Sequence, residues 1–572
     1  MHRSSLRHGF QLLAGPVAEF VSKEASSAAL AAQGLWRRDP SVWSIDRGVQ
    51  DSIFRRLGWL DSPALMLASI DRIVRTAGEV RDAGFTDAVL LGMGGSSLAP
   101  EVLRAIVGER PGWLRLHMID TTDPDAIRAV STTPARTIYI LASKSGTTIE
   151  PNSLAAHFQR VLQESGIPEW AKHFMAITDD ETPLSHRARA EGFRHLFLNP
   201  FDIGGRYSAL SFFGLVPAAL MGQDVRALLQ WGAAMLDEAQ AEDVDVRANP
   251  AVGLGLLMGA SARAKRNKLT LLLPDHLERF GLWVEQLVAE STGKKGVGIV
   301  PIAGEAIGGP AVYADDRMFV RLRRPDAPGR RDQEVQDLGR EPIATMEFPE
   351  PAAIGAEFVR WEIATAVAGA LLGINPFDEP NVQQAKDATR VLLDRYKTDH
   401  HLPTTAHETT STGVTRTLTT TARQALHGKG AESILTCFGA GDYLAVLAYL
   451  NPTEEFDGIL QRFRMSVRDL ARVSTMASYG PRYLHSTGQL HKGGPNTGVY
   501  ILISATAEQD LTIPGQPFSF GTLELAQAQG DFASLGDTHR RALHLHLPAR
   551  DPRILNDALT ELLLPLSRSH AL

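Results

Sequence analysis

Thr86-Asp-Ala-Val-Leu-Leu-Gly-Met-Gly-Gly-Ser-Ser97 reads as a short apolar strand, Asp87–Leu91, that runs into a glycine- and serine-rich turn and opens a helix. Four runs of the same kind follow: Leu114–Ile119, Ile138–Ala142, Phe174–Ile177 and His195–Leu198. Strands alternating with helical patterns form a parallel α/β sheet, and such doubly wound sheets bind ligands at the carboxyl ends of their strands. A second α/β unit opens at Lys268, with strands expected at Leu269–Leu273, Met318–Leu322 and Ala344–Phe348 and a long helix over Ile354–Leu372. Further on, Tyr443–Leu450, Val473–Ala477, Val499–Ser504 and Ala542–Leu547 read as strands. The amphipathic stretch Thr453–Arg472 and the closing stretch Arg553–Leu564 read as helices. The chain thus divides into a helical or extended segment at 1–65, doubly wound units at 66–235 and 236–396, and a C-terminal α/β unit at 424–572. Between the last two, 397–423 is rich in Thr and His and reads as a linker. Asp399, His400, His401 and His407 lie there without the spacing or helical context of metal ligands, so no metal site is expected.

The bulk numbers fit this reading. A chain of 572 residues with 44% hydrophobic and 22% charged residues is ordinary for a globular protein. The net charge of −7 argues against a nucleic-acid surface. It leaves room for an anionic small molecule, because helix N-termini and a few cations hold a phosphate. No stretch is long and apolar enough to span a bilayer. The single cysteine, Cys437, makes an intramolecular disulfide impossible. It sits in an apolar run, reads as a buried structural thiol and fits a reducing compartment. The cytoplasm is the expected location.

Chemistry concentrates in five segments. Gly92–Ser97 offers backbone amides and hydroxyls to an anion but lacks the last glycine of a dinucleotide-binding turn. A tight structural turn explains it about as well. Ser143-Lys-Ser-Gly-Thr-Thr148 follows the third strand and leads into a helix, so four hydroxyls, one Lys and free amides converge at a strand end. That pattern is a phosphomonoester cradle. Gly204-Gly-Arg-Tyr-Ser208 lets a backbone approach closely while the Arg206 guanidinium reaches a developing oxyanion. Glu290 ends an apolar helix, where partial desolvation would raise a carboxylate toward a useful base, although on spacing alone a surface Glu is the simpler reading. Glu285 on the same helix serves as its control. Asn375–Val382 starts a helix that carries Lys386, a candidate cation or proton donor.

Taken together and in this order, these segments resemble the phosphoglucose isomerases, a family built on two sugar-isomerase domains. The resemblance covers roughly 40–390, and the chain is most similar to the isomerase half of bacterial transaldolase–phosphoglucose isomerase fusions. No transaldolase barrel precedes Gly92, so Schiff-base aldolase chemistry is not expected. The resemblance implies an isomerase that interconverts glucose 6-phosphate and fructose 6-phosphate through an enediolate, with no cofactor, acting on a sugar phosphate as a homodimer. It implies that Gly95, Ser96, Ser143, Lys144, Ser145, Thr147 and Thr148 contact the sugar phosphate. It makes Glu290 the base between C2 and C1, Arg206 the enediolate stabiliser, Gln286 a lining residue and Lys386 an aid to ring opening. It also makes Glu379 a substrate contact, at a position where many relatives carry Gln. The family's ring-opening histidine has no counterpart soon after Gly304-Glu305. The nearest similar context is Gly488-Gln-Leu-His491, which makes His491 the expected ring opener, with His485 as a second candidate. Tolerance of mannose 6-phosphate and a non-catalytic sugar-phosphate sensor are the alternative readings.

Overall fold

The computed structural model describes residues 6–242, 244–325, 330–403 and 407–570. Its first sheet runs, in space, Arg115–Ile119, Asp87–Leu91, Thr137–Ala142, Phe174–Asp179, His195–Asn199, all parallel. Every residue of Asp87–Leu91 and Thr137–Ala142 is buried. Such strands carry no alternation because helices cover both faces of the sheet. The strand order reverses between these two strands, and the loops 92–97 and 143–148 both leave the sheet at that switch point. A doubly wound sheet opens its ligand crevice there.

The second sheet is ordered Phe10–Leu13, Ile343–Glu347, Arg317–Arg323, Lys268–Leu272, Val300–Ile302. Phe10–Leu13 pairs antiparallel, with Phe10 opposite Met346. The segment expected at 1–65 is therefore no separate piece, although residues 1–5 lie outside the described residues. It supplies an edge strand, and its helix Ala18–Trp36 packs on helices Val252–Arg263 and Ile354–Leu371. One hydrophobic core extends from Leu6 to Phe377 and joins the first two units into a single body.

The third sheet is ordered Glu408–Thr409, Thr415–Leu418, Arg541–Leu547, Gly498–Ala505, Tyr443–Tyr449, Ser474–Tyr479. The stretch expected as a linker is largely structured. Helix Val382–Asp399 ends within it, and Thr415–Leu418 pairs antiparallel with Arg541–Leu547; residues 404–406 lie outside the described ones. Its threonines fit this role, because β-branched residues favour a half-buried edge strand. The third unit has its own core between Val414 and Leu566. Among the described residues, no helix is long and apolar enough to cross a membrane.

The third unit docks through buried charge. Glu305 Oε2 accepts from Arg317 Nη1 at 2.7 Å, while Oε1 accepts from the Thr475 amide at 3.0 Å and its hydroxyl at 2.9 Å. Arg464, from helix Glu454–Ala471, donates to the Ala303 carbonyl at 3.1 Å. Removing one partner of such a pair leaves an uncompensated buried charge and costs about 3–5 kcal/mol. Glu305→Ala should therefore lower the urea midpoint clearly, whereas an unchanged midpoint would show that the docking does not depend on this carboxylate.

Candidate active site

The hydroxyl-rich loop is pre-shaped by its own groups. Ser143 Oγ lies 3.1 Å from Thr148 Oγ1 and accepts from the Gly146 amide at 3.1 Å, and Ser145 Oγ lies 3.0 Å from Thr147 Oγ1. Gly146 adopts φ +68°, and a Cβ there would sit 2.7 Å from the Leu184 amide nitrogen, so only glycine makes this turn. The loop opens helix Ile149–Glu164, whose N-cap Thr148 makes no side-chain cap and leaves the first amides free for an anion. Lys144 turns the other way. Its ammonium binds Asp179 Oδ2 at 2.5 Å and the Phe201 carbonyl at 2.9 Å, so it braces the loop from behind.

Gly95 lies where two loops meet. A Cβ on it would stand 2.1 Å from the Gly205 carbonyl oxygen, so the turn holding Gly95 and Ser96 presses against the loop that carries Arg206. Arg206 is 3% exposed, and each of its three guanidinium nitrogens has a hydrogen-bond acceptor. Nε donates to Ser291 Oγ at 2.8 Å, Nη2 to the carbonyls of Pro376 and Asp378 at 2.8 Å each, and Nη1 faces Glu379 Oε2 at 2.9 Å and Glu290 Oε1 at 3.2 Å.

Glu290 stands near the end of helix Glu278–Thr292 and is 8% exposed. Burial raises its carboxyl above the ordinary value, Arg206 works against that rise, and the Glu379 charge adds to it. Gln286, one turn earlier, donates to Glu290 Oε2 at 3.3 Å and to the His485 carbonyl at 2.7 Å. Glu285 is buried too, and burial lifts it to about 7. It accepts from the Ala303 amide at 3.2 Å, away from Arg206, so burial alone does not single out a base. Lys294 binds the carboxylate of Asp378 at 2.7 Å and pins the loop that holds Glu379.

Lys386 lies exposed on helix Val382–Asp399 and lines a cavity of about 420 Å³ with Thr147, Thr148, Glu150 and His485. The expected ring opener, His491, is elsewhere. It is 0% exposed, its ring packs 5.2 Å from that of Tyr500 and 6.2 Å from that of Tyr483, and neither nitrogen has a hydrogen-bond partner. Its short helix, Gly488–Gly493, turns this side chain into the core of the third unit. His485 takes its place at the cavity, with Nε2 2.9 Å from Glu150 Oε1. Burial pushes Glu150 up, but the His485 ring overrides this and holds the carboxyl below its ordinary value. Gln527 also donates to Glu150 Oε1, at 2.7 Å. Gln489, a residue without a role in the sequence reading, is fully buried and clamps two segments together. Its amide donates to the Gly293 carbonyl at 2.9 Å and accepts from the Asn381 amide at 2.8 Å. The Gly488-Gln489 context is visible in the sequence, but it serves as a clamp, and the histidine at the cavity precedes it.

The phosphoglucose isomerase family model matches residues 72–312. The chain is 31% identical over 359 residues to a glucose-6-phosphate isomerase of Nostoc punctiforme, covering 55% of this chain and 67% of that protein. It is 32% identical over 356 residues to that of Trichormus variabilis, covering 54% of this chain. A hypothetical protein of Thermus thermophilus shares the fold, with a TM-score of 0.53 and 24% identity over 67% of this chain and 99% of that one. The chain belongs to the phosphoglucose isomerase family. It spans 66% of the length of the Trichormus relative.

The hydroxyl loop predicts a simple binding result. Inorganic phosphate should raise the thermal midpoint of the protein, and Thr148→Val should lose most of that rise. A phosphate-dependent rise of equal size in the variant would place the anion elsewhere.

Proposed function

We propose that this chain interconverts glucose 6-phosphate and fructose 6-phosphate through an enediolate. The observation that supports it most is the buried Glu290 carboxylate, held against Arg206 beside a hydroxyl-rich anion loop. A sensor of sugar phosphates needs the loop but has no use for a desolvated base, whose burial costs stability.

The parts divide the work by chemistry. The loop Ser143–Thr148 and the turn at Gly95 and Ser96 hold the phosphate. His485 and Lys386, which line the same cavity as Thr147 and Thr148, exchange a proton with the ring oxygen and the adjoining hydroxyl and release the open chain. An imidazole suits that step near neutral pH. Glu290 then takes the C2 proton and returns it to C1, while the first carbonyl oxygen becomes a hydroxyl and the second carbonyl forms. The fixed guanidinium of Arg206 faces the developing oxyanion, and preorganised charge of this kind often contributes more to catalysis than any other single effect. No cofactor enters this sequence of steps. Pairing of two chains, as in the resemblance, is part of the reading; within one chain His485 already meets Gln286 and shares a cavity with Lys386.

A coupled assay with fructose 6-phosphate tests the activity directly, and absence of turnover would end this reading. Glu290→Gln should cut kcat about a thousand-fold while sugar phosphate still binds, since a general base acts on the barrier. A variant that kept most of its turnover would displace Glu290 from the role. His485→Ala should slow the ring-closed substrate more than an open-chain analogue, while His491→Ala should show no such bias. Equal slowing of both substrates by His485→Ala would remove His485 from ring opening.

A further inference from the structure

Arg206 Nη1 is shared by two carboxylates, and one of them has no task in the steps above. Glu379 Oε2 holds the shorter contact, 2.9 Å against 3.2 Å for Glu290 Oε1. The other N–H groups of the guanidinium go to neutral acceptors, the Ser291 hydroxyl and the carbonyls of Pro376 and Asp378. Nη1 is therefore the one place where Arg206 meets negative charge, and Glu379 takes the larger share of it.

We propose that Glu379 is a positioning residue: it draws the Arg206 guanidinium partly away from Glu290 and leaves Glu290 the stronger proton acceptor. The inference rests on the assignment of Glu290 as the base. Arg206 and Lys294 both act to lower the Glu290 carboxyl, and the Glu379 charge acts to raise it. Arg206 approaches from the first unit and Gln286 from the same helix, while the His485 carbonyl from the third unit engages Gln286. Lys294 follows in the next loop, but its ammonium is bound to the Asn375 carbonyl at 2.6 Å and to the Asp378 carboxylate at 2.7 Å. Arg56 stands behind Glu379, with Nη2 3.6 Å from Oε1, and helps keep that carboxylate ionised. The directions agree. Burial would raise both carboxyls, yet Arg206 and Arg56 hold Glu379 below its ordinary value while Glu290 stays above it. Two like charges on one cation push their proton affinities apart, and the better-paired carboxylate stays ionised.

A Gln at this position keeps a hydrogen-bond acceptor for Arg206 and removes the charge. Glu379→Gln should therefore give Glu290 the whole guanidinium and make it a weaker base. The test is kcat/KM for fructose 6-phosphate measured against pH. Glu290 works when ionised, so the acid limb should move to lower pH, by about one unit. At neutral pH kcat should fall several-fold with KM nearly unchanged. Glu379→Asp, which keeps the charge, should hold the limb nearer its original position. An acid limb that stays in place in Glu379→Gln would overturn the proposal, as would a raised KM with unchanged kcat, which marks a substrate contact. Turnover by the unsubstituted chain and its loss in Glu290→Gln are read in the same assay, so failure of the isomerase reading is seen separately from failure of this one.

Discussion

A single buried guanidinium ties this site together. Arg206 leaves the first unit on the Gly204–Ser208 loop and ends among groups from the helix of Glu290 and from the segment 376–379. Removing a cation from water costs several kcal/mol unless every donor is met. The donors sit on a rigid fork, so the acceptors must stand in fixed directions, and all three nitrogens of Arg206 find one. That demand positions Glu290, its neighbour Glu379 and the start of the Lys386 helix relative to the first sheet. Gly95 belongs to the same constraint, since a side chain there would collide with the backbone that aims Arg206.

The third unit finishes what Arg206 begins. It is a separate core with its own sheet, yet its loop 485–489 reaches back into the first two units. His485 presents its ring to Glu150 and its carbonyl to Gln286, so one residue touches both the anion-loop side and the base side of the cleft. Gln489 fixes the distance between the end of the Glu290 helix and the start of the Lys386 helix. The ion pair of Glu305 with Arg317, capped by Thr475, holds the whole unit in the pose these contacts need.

Much of this is legible in the sequence, and what is not has physical reasons. The central strands of the first sheet, Asp87–Leu91, Thr137–Ala142 and Phe174–Asp179, are readable because they are buried almost throughout and so appear as apolar runs. Phe10–Leu13 and Val300–Ile302 escape a reading of pattern because strands of three or four residues carry too little of it, and pairing partners decide them. The Thr-rich stretch reads as a linker because low hydrophobicity resembles a loop, although an edge strand with one wet face looks much the same. Arg206 and the hydroxyl loop are legible through their local context, whereas Glu290 needs the resemblance, since on spacing alone it reads as a surface Glu. The histidine is not: His485 and His491 flank the same Gly-Gln pair, and only the packing of Tyr483 and Tyr500 around His491 separates them. Glu150 carries no local signal because its partners, His485 and Gln527, lie more than three hundred residues away.

Proton transfer by one buried carboxylate has a signature that binding or stability data do not carry. When glucose 6-phosphate is turned over in deuterated water, solvent deuterium should appear at C1 of the fructose 6-phosphate formed, because the proton held on Glu290 exchanges during the life of the enediolate. Proton magnetic resonance of the product reads this directly, and Glu290→Gln should show no incorporation on the same timescale. Incorporation that continues at the original rate in Glu290→Gln would contradict the assignment of Glu290 as the proton carrier.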